Sequence, residues 1–334
     1  TNLATSSDRD DAPALNLTGV FRMGTLPASQ PLDDLNPGAQ RLMDMINESI
    51  ARKPYKHLTV FVHGANNNFY RAMALGAQAA YFGGRMGTMI AYSWPSRERI
   101  TQYRKDVANI QATVPAFVRF IKLMAKHSDA ERIDIIAYSA GAQLAVQSLA
   151  ALGAEVDLES PLRQTLRARL RLGVIYLAAP DTSSSAFGGQ LYQFADLVDN
   201  ITFTINDADY VLEISRRFGE KKPRLGAPGE TNLHSQHDDW ARELTHTGKL
   251  DVIYIDTENI PDIEAESHDY WYSNSWVSTD TLLLLNHSAP PQERQLQRLE
   301  ENGWVYWSFP EDYDRRIKQL YSSAFREQQG WAAD

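Results

Sequence analysis

The chain has 334 residues, 43% of them apolar and 22% charged, enough for a sizeable core in one large domain or two ordinary ones. A net charge of −9 argues against nucleic acid and against anionic membrane surfaces as partners. The absence of cysteine excludes disulfides, thiolate nucleophiles and thiolate metal ligands, and no run approaches the ~18 apolar residues of a membrane-crossing helix.

Residues 1–35 read as a flexible tail and a Pro/Gly-punctuated loop, with the folded domain expected over 36–334. The polar, Ser/Asp-rich start ahead of a cysteine-free body leans towards an exported protein over a cytoplasmic one. Six apolar runs then have strand character: "LTVFVHG" (58–64), "TMIAYS" (88–93), "IDIIAYS" (133–139), "GVIYLAAP" (173–180), "ITFTIND" (201–207) and "DVIYID" (251–256). Most are continuous rather than alternating, as in strands covered on both faces of a parallel sheet. Helical patterns fall between and after them, at 69–83, 103–127, 140–152, 187–198 and 276–286. This alternation predicts an α/β fold with a mostly parallel central sheet and helices on both faces. The polar, Gly/Pro-rich stretch 216–247 reads as an insert or cap-like loop over the sheet edge, and "PQERQLQRLEENG" (291–303) as a solvated helix.

The chemistry centres on Ala137-Tyr138-Ser139-Ala140-Gly141. A buried strand that turns at once into a helix needs a sharp bend, and small residues two before and two after the serine let the two arms approach. That is the nucleophile-elbow pattern, here with alanine for its first glycine. The bland alternative is a serine that only caps the helix at 140–152. A serine hydroxyl needs a base to take its proton and an acid to orient that base. In elbow architectures the chain order is serine, acid, histidine.

Of eight histidines, only His268 and His287 follow the last predicted strand. His268 opens the loop beyond "DVIYID", at the edge where Ser139 sits, and is the preferred base. His287 ends an apolar helix, where a histidine more simply offsets the helix dipole. Two carboxylates end strands at the same edge. Asp209 follows the later strand and is preferred as the acid, with Asp181 the alternative and Asp207 a neighbour of Asp209. Both leading candidates also suit purely local roles, Asp181 in a turn and Asp209 as a helix cap.

Two backbone N–H groups are needed for the oxyanion: that of Ala140, after the nucleophile, and that of Ala65 in the turn after "VFVHG", with Asn66 second. His63 reads as a buried scaffold residue of that turn. The run Asn66-Asn67-Asn68 suits a positive-φ loop capping the next helix. Tyr138, Trp94, Trp271 and Trp276 are candidates for an aromatic acyl pocket. "HSQHDDW" (234–240) has ligand-like residue types but no matching ligand helix, and reads as a solvated loop. The expected chemistry therefore uses no metal and no cofactor.

With these pieces assembled, the chain resembles the bacterial α/β-hydrolases catalogued as a domain of unknown function, within the lipase/esterase superfamily. The resemblance rests on "VFVHGANNNF" (60–69), "SWPS" (93–96) with Tyr103-x-x-Asp106, "IIAYSAGAQ" (135–143) and "LAAPD" (177–181). It continues through "INDADYVLEISRRFG" (205–219), "RLG" (224–226) and "SHDYWYSN" (267–274), in the family's order. It implies a triad of Ser139, Asp209 and His268. Tyr138 and Ala140 depart from the family's usual His-Ser-Met-Gly neighbourhood, so no substrate preference carries over. The expected function is a serine hydrolase acting on small carboxylic esters; the alternative is a non-catalytic scaffold used for binding.

Overall fold

The computed structural model describes residues 24–97, 99, 102–218, 222–228 and 237–328. Most of the predicted tail, and part of the insert at 216–247, lie outside the described residues. The strands are β1 (His57–Val62), β2 (Thr88–Tyr92), β3 (Arg132–Tyr138), β4 (Leu172–Ala178), β5 (Val198–Ile205), β6 (Leu250–Tyr254), β7 (Gln297–Glu301) and β8 (Trp304–Ser308). The first half carries helices α1 (Pro37–Ala51), α2 (Phe69–Phe82), α3 (Tyr103–His127), α4 (Ala140–Gly153), α5 (Leu162–Leu170) and α6 (Ser184–Phe194). The second half carries α7 (Tyr210–Phe218), α8 (Asp238–His246), α9 (Tyr270–Ser273), α10 (Ser275–His287) and α11 (Tyr313–Gln328).

The sheet has eight strands in the order β2-β1-β3-β4-β5-β6-β8-β7, and only the β7–β8 pair is antiparallel. Its continuous apolar strands serve two cores at once. In β3, Ile133, Ile135 and Ala137 face a core shared with α1, α3, α4 and α6. Ile136 and Tyr138 face the opposite core, shared with α2, α9 and α10. Because both faces are covered, the strands lack a polar side, which is why they read as unbroken apolar runs.

The strand order reverses between β1 and β3, so the loops leaving their carboxyl ends diverge to opposite faces and leave a crevice. Gly64 follows β1 and Ser139 follows β3, so both predicted catalytic turns border that crevice.

One expectation is corrected here. Residues 297–301 are a strand, not a helix, and pair antiparallel with β8, from Gln297↔Ser308 to Glu301↔Trp304. Asn302 (φ 51°) and Gly303 (φ 79°) both take positive φ, the requirement of a two-residue hairpin turn. Strand β7 is polar because it lies at the sheet edge, largely exposed. The Asn-Gly dipeptide before "WVYWS" was the available signal.

Arg294, just before this hairpin, is fully buried between two carboxylates, with Nη1 2.6 Å from Asp280 and Nη2 3.5 Å from Asp251. One guanidinium cannot neutralise both, and burial pushes each carboxyl up to about 6 despite Arg294. Groups raised above their unfolded value of 3.8 favour folding most below it, and that contribution is lost as pH rises through about 6. Wild type is therefore expected to gain about 1 kcal/mol on Asp251→Asn between pH 7 and pH 5. Urea unfolding midpoints of the two proteins at both pH values check this; a constant difference sinks it.

Candidate active site

Ser139 sits between β3 and α4 with φ 54° and ψ −125°, far from the extended conformation of a capping serine, and its side chain makes no capping hydrogen bond. A non-glycine residue held there carries strain that its surroundings must enforce. They do so through close backbone approach. A Cβ on Gly141 would come 2.5 Å from the His63 carbonyl oxygen and 2.6 Å from that of Val62. A Cβ on Gly64 would come 2.8 Å from the Ser139 Cβ. The Ser139 N–H donates to the Ala178 carbonyl (2.9 Å), and its own carbonyl accepts from Ala142 (3.0 Å) and Asp181 (3.1 Å). Gly141→Ala is expected to cost about 1–3 kcal/mol by overpacking this turn, read as a lowered unfolding midpoint. An unchanged midpoint would mean that the turn relaxes freely.

The serine opens into a cavity of about 270 Å³ that His268 and Tyr138 also line. His268 Nδ1 donates to Asp209 Oδ2 at 2.6 Å, and both side chains are buried. Its other ring nitrogen, Nε2, is buried without a hydrogen bond among the described residues. Asp209 follows β5, and its second oxygen, Oδ1, accepts from the Leu212 N–H at 3.0 Å. The carboxylate therefore caps α7 and holds the imidazole at once. Asp207 is exposed. Asp181 also lines the cavity, but its carboxylate is engaged by Tyr103, Ser215 and Arg224. His287 packs edge-on against Tyr55, which precedes β1 at the amino end of the sheet, away from the crevice.

His63 is fully buried with both nitrogens occupied: Nδ1 donates to the Gly64 carbonyl (2.7 Å) and Nε2 accepts from the Trp94 N–H (3.1 Å). A carbonyl can only accept and an amide N–H can only donate, so these partners hold a neutral ring, and burial lowers its pKa. It is a strut of the turn. Trp94 stacks on it at 5.2 Å, and Ser96 Oγ donates to the Asn67 carbonyl at 2.6 Å. The "SWPS" segment thus braces the loop carrying Ala65, which lines the cavity. Asn66 has φ 58°, and the Asn68 side chain caps α2 by accepting from Arg71. Ala140 opens α4, where first-turn N–H groups have no intrahelical partner.

Of the four aromatic pocket candidates, only Tyr138 lines the cavity. Trp94 is held behind His63, and Trp271 supports Tyr138 from below, at 5.4 Å, while stacking on Phe61. Trp276 packs on Tyr313 and bonds Asp314. Indoles large enough to fill the core are claimed by it. Sequence reasoning missed Arg71, Tyr272 and Asp269, which line the cavity from the starts of α2 and α9. Of "HSQHDDW", residues 234–236 lie outside the described residues and His237 stacks on Tyr192.

A mostly parallel sheet with a strained serine at a strand–helix elbow, next to a crevice between diverging loops, defines an α/β-hydrolase. Within that class the chain belongs to the family described as alpha/beta hydrolase of unknown function (DUF900), whose model matches residues 39–283. No curated protein and no solved structure matches the chain.

Proposed function

We propose that the protein is a serine hydrolase that cleaves small carboxylic esters through an acyl-enzyme. The observation carrying this reading is Ser139, held at positive φ with its hydroxyl unused for capping, in one cavity with a histidine that a buried aspartate orients. Ser139 Oγ attacks the ester carbonyl while His268 Nε2 takes its proton and then delivers it to the departing alkoxide. Asp209 keeps the proton on Nδ1, so that Nε2 is the basic nitrogen, and stabilises the imidazolium as it forms. The N–H groups of Ala65 and Ala140 stabilise the oxyanion. Water then attacks the acyl-enzyme by the same route in reverse and releases the acid.

A cavity of about 270 Å³ is at or below the low end of small-molecule sites, ~300–1,000 Å³, which argues for short acyl groups. A p-nitrophenyl ester series is expected to give highest kcat/KM with the shortest chains. A fluorophosphonate is expected to label Ser139, located by peptide mass spectrometry. A protein that neither turns over the esters nor takes the label would instead be a binding scaffold.

A further inference from the structure

Several short motifs in the sequence are not absorbed by the proposed triad: Tyr103-x-x-Asp106, Asp181 after "LAAP", Ser215 six residues beyond Asp209, and Arg224 in "RLG". In the fold, three of their residues, Tyr103, Ser215 and Arg224, meet at the carboxylate of the fourth, Asp181. The buried Asp181 accepts from Ser215 Oγ at 2.6 Å on Oδ1 and 2.8 Å on Oδ2. It accepts from the Tyr103 hydroxyl at 2.6 Å on Oδ2, and Arg224 Nε stands 3.2 Å from Oδ1. Asp181 and Arg224 are 2% and 1% exposed, so the ion pair is shielded from water and salt.

We propose that Asp181 is a positioning residue that fixes the distance between the nucleophile's turn and the acid's helix; this rests on the serine-hydrolase reading above. Two bonds of the one residue make the connection. Its backbone N–H donates to the Ser139 carbonyl, registering it against the elbow. Its side chain holds Ser215, on the inward face of α7, whose first turn Asp209 caps. Helix α7 spans only nine residues, too few to be stable by itself, so its position depends on such anchors. The path runs from Ser139 through Asp181 and Ser215 to α7, and from the cap of α7 to His268.

Arg224 keeps this arrangement compatible with catalysis. It offsets the charge of Asp181, a carboxylate that lines the same cavity as His268. It also ties the described part of the insert to the site. Leu225 and Gly226 donate to the carbonyls of Thr182 and Pro180, and Ser184 donates to that of Pro223. Asp181 is thereby locked between the elbow, α3, α7 and the segment 222–228.

Asp181→Asn would leave Arg224 buried without its counter-charge and risks unfolding, so the test uses Ser215. Ser215→Ala removes one hydroxyl, and Ser215→Thr restores it. With p-nitrophenyl acetate, Ser215→Ala is expected to lower kcat about 10- to 100-fold with KM within about twofold, since sub-ångström misplacement acts on the transition state. Ser215→Thr is expected to recover most of the loss. In the proton spectrum, the downfield Nδ1–H signal of His268 bonded to Asp209 is expected to broaden or shift in Ser215→Ala and to persist in Ser215→Thr. A folded Ser215→Ala protein with wild-type kcat and an unchanged signal overturns the proposal, as does loss confined to KM. Inactive wild type would defeat the hydrolase reading, while the proton signal would still decide the coupling.

Discussion

Ser139→Ala is expected to abolish ester turnover and fluorophosphonate labelling together, with kcat falling roughly 10³- to 10⁶-fold. The loss is large because no neighbour replaces the nucleophile: Ser215, which also lines the cavity, is bonded to Asp181, and the chain contains no cysteine. Stability should change little. Alanine keeps the Cβ that the tight turn already accommodates, and the serine hydroxyl caps nothing. Matched unfolding midpoints with activity lost would assign the residue to chemistry. Retained turnover in the variant would remove Ser139 from the mechanism and, with it, the serine-nucleophile reading.

Asp209→Asn is expected to lower kcat about 10⁴-fold while leaving α7 intact. Asparagine preserves the oxygen that accepts from Leu212, so the helix keeps its cap. What changes is the other oxygen. An amide turned towards His268 as a donor would favour the tautomer with the proton on Nε2, the wrong nitrogen for a base. Asp209→Ala removes both functions and should add a cap loss of about 1 kcal/mol. Comparing the two variants by kinetics and thermal melts separates the roles. Near wild-type kcat in Asp209→Asn would return Asp181 to candidacy as the acid.

The α/β layering was legible because burial on both faces erases the polar side of a strand, as β1, β3 and β4 show. The bounds of α3 and the elbow at Ser139 were legible for related reasons: helical period, small flanking residues and strand-to-helix transition are local properties. Strand β7 reads as a helix in the sequence because an exposed edge strand and a solvated helix are both polar, and only the Asn302-Gly303 turn tells them apart. The polar segment 37–51 forms α1, a helix not predicted from the sequence, with Met43, Ile46 and Ile50 on its buried face.

Chain order alone brought Ser139, His268, Asp181 and Asp209 to one edge of the sheet, because parallel crossovers deliver every strand's carboxyl end to the same side. It could not tell which carboxylate meets His268, since both end strands and both precede helical turns. That was decided by which elements cross behind each one: Asp209 meets the loop carrying His268, whereas α3 and the insert bring Tyr103 and Arg224 onto Asp181. Tertiary packing likewise turned the tryptophans away from the cavity. Strand-end position is inherited from the order of the chain, but a side chain's partner can lie far along it, as Tyr103 lies 78 positions from Asp181, and only folding chooses it.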